Sequence, residues 1–217
     1  MKLRIKICGI TNEADARTAA ALGANAIGLN FYPGTKRHVA EVMAGKILRV
    51  LPPFVEPVGL FVNEPLKNCR DRCLDLGIRV IQWHGDEHEL FVVFPCTLIP
   101  AFSVHDRTDL ERIQEYVDGA YDLGYLPQAV LIDAKAEGLY GGTGHTAPWQ
   151  LLAGFDPGVP VILAGGLTPD NVAEAIRRVK PYGVDVASGV EQSPGLKDAD
   201  KVKQFIDNAR AAAAALP

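Results

Sequence analysis

Two short stretches end on side chains that can move protons. KICGIT (6–11) closes an apolar run on Cys8, and AVLID (129–133) closes another on Asp133. Thiols and carboxyl groups both serve as general acids and bases. Alternate residues of a strand face opposite ways. Lys6 and Cys8 therefore share one face and Ile5 and Ile7 the other, while Leu131 and Asp133 oppose Val130 and Ile132. Helices pack on the face of branched aliphatic residues, so Lys6, Cys8 and Asp133 point away from them. An inward ammonium needs a partner. Beside a thiol it favours thiolate and makes Cys8 a better base. Taken singly, each residue has a plainer reading: a cysteine as a small buried hydrophobe, an aspartate as a turn cap.

The elements that must position these groups alternate along the whole chain. Strand patterns fall at 3–8, 26–31, 57–62, 79–83, 97–102, 129–133, 160–164 and 183–187. Amphipathic helical patterns lie between them, at 15–23, 39–51, 66–77, around 86–93 (weakly marked), 107–117 and 169–179, with a last one from 201. Gly23 and Gly77 stop two of them and Pro52-Pro53 a third. Residues 10–31 share a layout with 167–188, Thr11 standing where Thr168 stands. Eight strand–helix units predict parallel strands joined by crossover helices. The fold class is α/β, a single-domain (β/α)8 TIM barrel over residues 1–217 with a parallel eight-stranded sheet. Its length suits closure; an open doubly wound sheet is the competing arrangement. In a barrel Cys8 and Asp133 would end their strands at the C-terminal face, where barrel enzymes keep their chemistry.

Three glycine-rich turns follow later strands: YGGTGH (140–145), AGGLTPDN (164–171) and ASGVEQSPG (187–195). Glycine lets a ligand approach the backbone and meet its N–H groups. Thr168 suits a helix cap and Pro169 a first helical position. The second and third turns would follow strands seven and eight, where barrels commonly bind phosphate. Each turn alone is explained as a tight bend; the adjacent pair favours a phosphate. No dinucleotide or P-loop fingerprint is present. Arg37, in FYPGTKRHV, could clamp a carboxylate with two bonds or be a solvated loop charge. His84, in QWHG, ends the fourth strand and could line a pocket or bond a loop carbonyl. His38, His88, His105 and His145 carry no pattern. Cys69 and Cys73 lack the further ligands that a zinc site needs, and the alanine-rich C-terminal tail reads as a fraying helix.

The 217 residues are 48% hydrophobic and 22% charged, with a net charge of −4. That is the balance of an ordinary globular protein with no basic bulk for nucleic acid. Four irregularly spaced cysteines, no leader pattern and no long apolar run predict a cytoplasmic protein without a membrane span.

Taken together, KICGIT, GLNFYPGTKRHV (28–39), VGLFVN (58–63), QWHG (82–85), AVLIDAKAEGLYGGTGHTAPW (129–149), ILAGGLTPDNVAEAI (162–176) and GVDVASGVE (183–191) resemble the phosphoribosylanthranilate isomerase family of tryptophan biosynthesis. The resemblance runs along nearly the whole chain. It departs in PGTK, where a Ser-rich run is usual before the arginine, in TAPW after GGTG, and in Ala187, where serine is frequent.

The resemblance implies an Amadori rearrangement of phosphoribosylanthranilate, with Cys8 as general base and Asp133 as general acid and no metal or redox cofactor. It implies that Arg37 grips the anthranilate carboxylate, and that backbone around Gly142, Gly144, Gly165, Gly166, Ser188 and Gly189 grips the phosphate. Lys6, Asp185 and His84 support the site. Opposite tuning is expected: Asp133 raised by partial burial and Cys8 lowered by Lys6. The partner is a small phosphosugar–anthranilate substrate, and monomer and homodimer stay open. A two-phosphate sugar isomerase would put an aspartate at position 8, an indole-glycerol phosphate lyase would need more acidic and lysine groups, and a non-catalytic phosphosugar-binding barrel would have no use for Cys8 with Asp133.

Overall fold

The computed structural model describes residues 3–85, 95–124, 126–134 and 149–216. The β-branched runs form eight parallel strands: β1 (Arg4–Cys8), β2 (Ala26–Asn30), β3 (Glu56–Val62), β4 (Val80–His84), β5 (Thr97–Ser103), β6 (Val130–Asp133), β7 (Val161–Ala164) and β8 (Gly183–Val186). They pair in chain order, and β8 pairs with β1 to close the barrel. Closure leaves no open edge in this sheet.

The amphipathic runs form α1 (Glu13–Leu22), α2 (Glu41–Val50), α3 (Leu66–Leu76), α4 (Arg107–Asp122), α5 (Trp149–Leu152), α6 (Val172–Val179) and α7 (Ala199–Ala214). Local chemistry sets their ends. Asn12 caps α1 by accepting from the Asp15 N–H, and Asp106 with Asp109 forms a capping box on α4. Outward residues such as Ile7, Ile27, Ile81, Ile132 and Leu163 are fully buried under the helices. Each such side chain contributes about 1.5–3 kcal/mol. The barrel interior holds a smaller apolar cluster of Ala101, Leu131 and Ala164, beside the buried polar residues Lys6, Gln82 and Asp185.

Several expectations shift in detail. The helix expected around 86–93 lies outside the described residues. Helix α6 begins at Val172, because residues 169–171 form a turn; Asn171 takes the cap position, and Thr168 contributes its carbonyl to the Val172 N–H. Helix α4 runs five residues past 117. The alanine-rich α7 is docked through Val202, Phe205, Ile206, Ala209 and Ala212 and stays regular to Ala214. Alanine's small side chain allows this close packing, which the fraying expectation left out of account. Cys69 and Cys73 are fully buried. After β8 come a 3-10 turn (Ser188–Val190) and an antiparallel pair, β9 (Glu191–Ser193) and β10 (Leu196–Lys197), which the strand count had read as loop.

A Cβ on Gly189 would collide with the carbonyl oxygen of Leu167, whereas a Cβ on Gly45 meets nothing within 4 Å. Gly189→Ala is therefore expected to push apart the loops after β7 and β8 and lower the melting temperature. Gly45→Ala, inside α2, is expected to gain roughly 0.5–1 kcal/mol. Thermal melts of the two variants side by side check the contrast.

Candidate active site

Parallel pairing puts Lys6 level with Asp185 on the neighbouring strand. Inside the closed barrel Lys6 Nζ donates to Asp185 Oδ1 at 2.9 Å and to Gln82 Oε1 at 2.8 Å. All three residues are at most 7% exposed, so these bonds replace lost hydration. Burial pulls the Lys6 pKa down, but the charge and hydrogen bond of Asp185, with help from Cys8, outweigh it and the net shift is up. Gln82 Nε2 lies 2.7 Å from His84 Nε2. Lys6 can only donate, so it fixes the glutamine oxygen toward itself and leaves the amide hydrogens for the histidine. That contact suits the His84 tautomer in which Nε2 accepts and Nδ1 carries the proton.

Cys8 lies one step further along β1, level with Gly28 on β2. A Cβ at Gly28 would sit 2.6 Å from Cys8 Sγ, so the missing side chain is the space the thiol occupies. The Cys8 thiol is pushed up, contrary to expectation. Burial is the largest cause, the Lys6 charge opposes it, and Asp185 adds to it. The ammonium expected to favour thiolate is present and acts in that direction, but Asp185 offsets part of its effect and burial outweighs the rest. Asp133 ends β6, partly buried and level with Ser103 and Ala164. Cys8 and Asp133 thus stand at the same end of one ring of strands.

Arg37 is neither a free clamp nor a solvated charge. Its Nε and Nη2 donate to Glu191 Oε1 and Oε2 at 2.8 and 2.7 Å, a two-bond fork over the end of β1. Lys197 Nζ donates to the same Glu191 Oε1 at 2.9 Å and to the Ala187 carbonyl at 3.0 Å. Burial would raise the Glu191 carboxyl, yet the Arg37 and Lys197 hydrogen bonds and charges hold it below the usual range. Two cations and one carboxylate leave this group with a net positive charge.

The turns after β7 and β8 adjoin each other. Gly165 and Gly166 both take left-handed backbone, at φ 89° and 63°, which favours glycine. Asn171 ties this turn by donating to the Gly166 carbonyl and accepting from the Thr168 N–H. Ser188 and Gly189 open the 3-10 turn, whose first N–H groups have no acceptor within the turn. Gly142 and Gly144 lie outside the described residues. Among the described residues no cluster of three or more His, Cys, Asp or Glu could hold a metal, and no helix is long and apolar enough to cross a membrane.

The sequence reading missed Gln82, Gly28, Glu191 and Lys197. Gln82 had a signal, since it alternates with His84 on one strand and so shares its inward face. Glu191 had none, because its partner Arg37 is far away in the chain, and Lys197 had none, because its partner Glu191 was itself missed.

The family model described as N-(5'phosphoribosyl)anthranilate (PRA) isomerase matches residues 5–208. An N-(5'-phosphoribosyl)anthranilate isomerase of Geobacter metallireducens is 45% identical over 210 residues, covering 96% of this chain and 100% of the relative. The crystal structure of phosphoribosyl anthranilate isomerase from Thermotoga maritima superposes with a TM-score of 0.85 at 38% identity, covering 96% of this chain and 99% of that one. A phosphoribosyl anthranilate isomerase in complex with reduced 1-(o-carboxyphenylamino)-1-deoxyribulose 5-phosphate gives 0.82 at 36% identity, with the same coverage.

The depressed Glu191 carboxyl makes stability depend on pH. Its folded pKa lies below its unfolded one, so between the two values the unfolded chain binds more protons. The stabilisation is present above the ordinary glutamate range and is lost as pH falls through the folded value. Melting temperature should drop on acidification by about 2–4 °C for each kcal/mol lost. Glu191→Gln should flatten that part of the profile, as scanning calorimetry from neutral to acid pH would record.

Proposed function

The chain belongs to the N-(5'-phosphoribosyl)anthranilate isomerase family, enzymes of tryptophan biosynthesis, and from that membership we propose that it converts N-(5-phospho-β-D-ribosyl)anthranilate to 1-(2-carboxyphenylamino)-1-deoxy-D-ribulose 5-phosphate, an Amadori rearrangement, by general acid–base catalysis. One observation carries the reading: Cys8 and Asp133 end strands three places apart in a closed ring and flank the same opening. Strands about 4.8 Å apart and tilted about 36° give a ring about 7–8 Å in radius. Backbones three places apart are then about 14 Å distant, and inward side chains narrow the gap to roughly the span of one pentose.

Asp133 gives its proton to the furanose oxygen. The C1–O bond breaks, and the anthranilate nitrogen lone pair forms the C1 iminium. Cys8 as thiolate removes the hydrogen from C2, and that electron pair becomes the C1–C2 double bond of an enolamine. The enol proton leaves and C1 gains a proton, which completes the amino-ketose. The oxidation level at C1 falls as that at C2 rises, so the step is balanced within the substrate. Arg37 faces the anthranilate carboxylate with the edge that Glu191 leaves unused. The turns at Gly165–Gly166 and Ser188–Gly189 receive the phosphate, and Gly142 and Gly144 are assigned to it by family likeness.

The raised Cys8 thiol gives the cycle a particular form. An ordinary carboxyl group titrates well below a thiol, and burial widens that gap. The reactive form, acid protonated and thiol ionised, is therefore the less populated arrangement of a shared proton count. Lys6 and Lys197 both ease ionisation of Cys8, and the iminium adds a third positive charge where it is needed.

Cys8→Ala and Asp133→Ala should each lower kcat by about 10²–10⁴ with the fold retained, as turnover of freshly generated phosphoribosylanthranilate and circular dichroism would show. Near-normal turnover of either would remove that residue from its role. The alkaline limb of kcat/KM against pH should lie above the usual cysteine range, with activity falling as Cys8 loses its proton to solvent in the free enzyme. A limb below that range would contradict the burial argument.

A further inference from the structure

The Arg37–Glu191 fork spends the better half of a guanidinium on a residue of the protein itself. A long side chain on an exposed turn would otherwise sample many rotamers, and binding a carboxylate would have to freeze them. Here the freezing is done in advance. Arg37 Nε and Nη2 are both occupied by Glu191, and its stem crosses Gly9, where a Cβ would lie 2.7 Å from Arg37 Cδ. The guanidinium plane is thereby set above the residue that follows Cys8. Among the described residues nothing engages Nη1. Glu191 in turn is held by Lys197 Nζ and by the Gly195 N–H at 3.3 Å. Because Lys197 also bonds the Ala187 carbonyl, the same clamp is tied to the backbone that leads into Ser188 and Gly189.

We propose that Glu191 is a positioning residue for the substrate's aromatic carboxylate: it acts through Arg37, and with Lys197 it fixes the separation between the carboxylate grip and the phosphate grip. This rests on the reading of Arg37 as the carboxylate-binding group. A residue of this kind affects capture of substrates that carry both anions and leaves proton transfer at the sugar largely alone.

Glu191→Asp keeps the charge but withdraws the carboxylate by one methylene. Glu191→Gln keeps the shape but sets an amide donor against Arg37 Nη2. Binding of reduced 1-(o-carboxyphenylamino)-1-deoxyribulose 5-phosphate and of its analogue without the carboxyl group is measured by calorimetry for wild type, both Glu191 variants, Arg37→Ala and the double variants, alongside KM, kcat and thermal melts. Expected are a loss of about tenfold in affinity for the carboxylated ligand, a change under about twofold for the other, KM raised with kcat within about threefold, and no further loss when Arg37 is already alanine, as for two groups acting as one unit. Equal weakening of both ligands, additive effects with Arg37→Ala, or failure of both Glu191 variants to fold would overturn the proposal. Wild type that does not discriminate between the ligands would overturn the Arg37 reading and this proposal with it. Absence of turnover in a wild type that does discriminate would count against the isomerase mechanism alone.

Discussion

An ammonium group sits inside a closed ring of strands where water does not solvate it, and the rest of the site is arranged around that fact. Lys6 stays charged because Asp185, one strand over and in register, supplies the counter-charge, and because Gln82 supplies an acceptor from the far side of the barrel. Removing one member of a buried ion pair typically costs several kcal/mol, because the other is left uncompensated. The three residues are thus bound together as one unit. Its orientation propagates outward: the lysine sets the glutamine amide, and the amide sets the histidine ring at the mouth.

A second network stands at the rim. Glu191 gathers Arg37, Lys197 and the Gly195 N–H onto one carboxylate. The two networks differ in net charge. The inner one balances its charges; at Cys8 the Lys6 charge acts more strongly than that of Asp185, and burial still decides the direction of the shift. The outer one keeps a positive excess at the rim. A paired, buried floor is thus set apart from a positive rim, and of the rim residues Lys197 also eases ionisation of Cys8.

Much of this architecture was legible before any coordinates. All eight strands follow from short β-branched runs, because a strand buried on both faces reads as continuous apolar sequence. The inward direction of Lys6 and Cys8 followed from alternation alone. What escaped were partners separated by long stretches of chain: Lys6 meets Gln82 and Asp185, and Arg37 meets Glu191, only through closure of the ring. A lysine pointing inward signals that a partner exists but not which residue it is. The direction of the Cys8 shift failed because the charge beside the thiol was visible in the sequence and the depth of its burial, the largest cause, was not. Gly28 gave no motif, because its contribution is the volume it leaves empty.

The buried polar floor has one more effect, on traffic through the molecule. Beneath it, at the N-terminal end of the barrel, lies a cavity of about 340 Å³ lined by Arg4, Glu56, Tyr182 and other residues. Lys6, Gln82, Asp185, Leu131, Ala101 and Ala164, each at most 7% exposed, fill the interior between that hollow and the mouth. The barrel is a cup and not a pipe. Under the proposed reaction, whatever enters is turned around and sent out through the same doorway, so the grip that secures capture also sets how soon the cup is emptied.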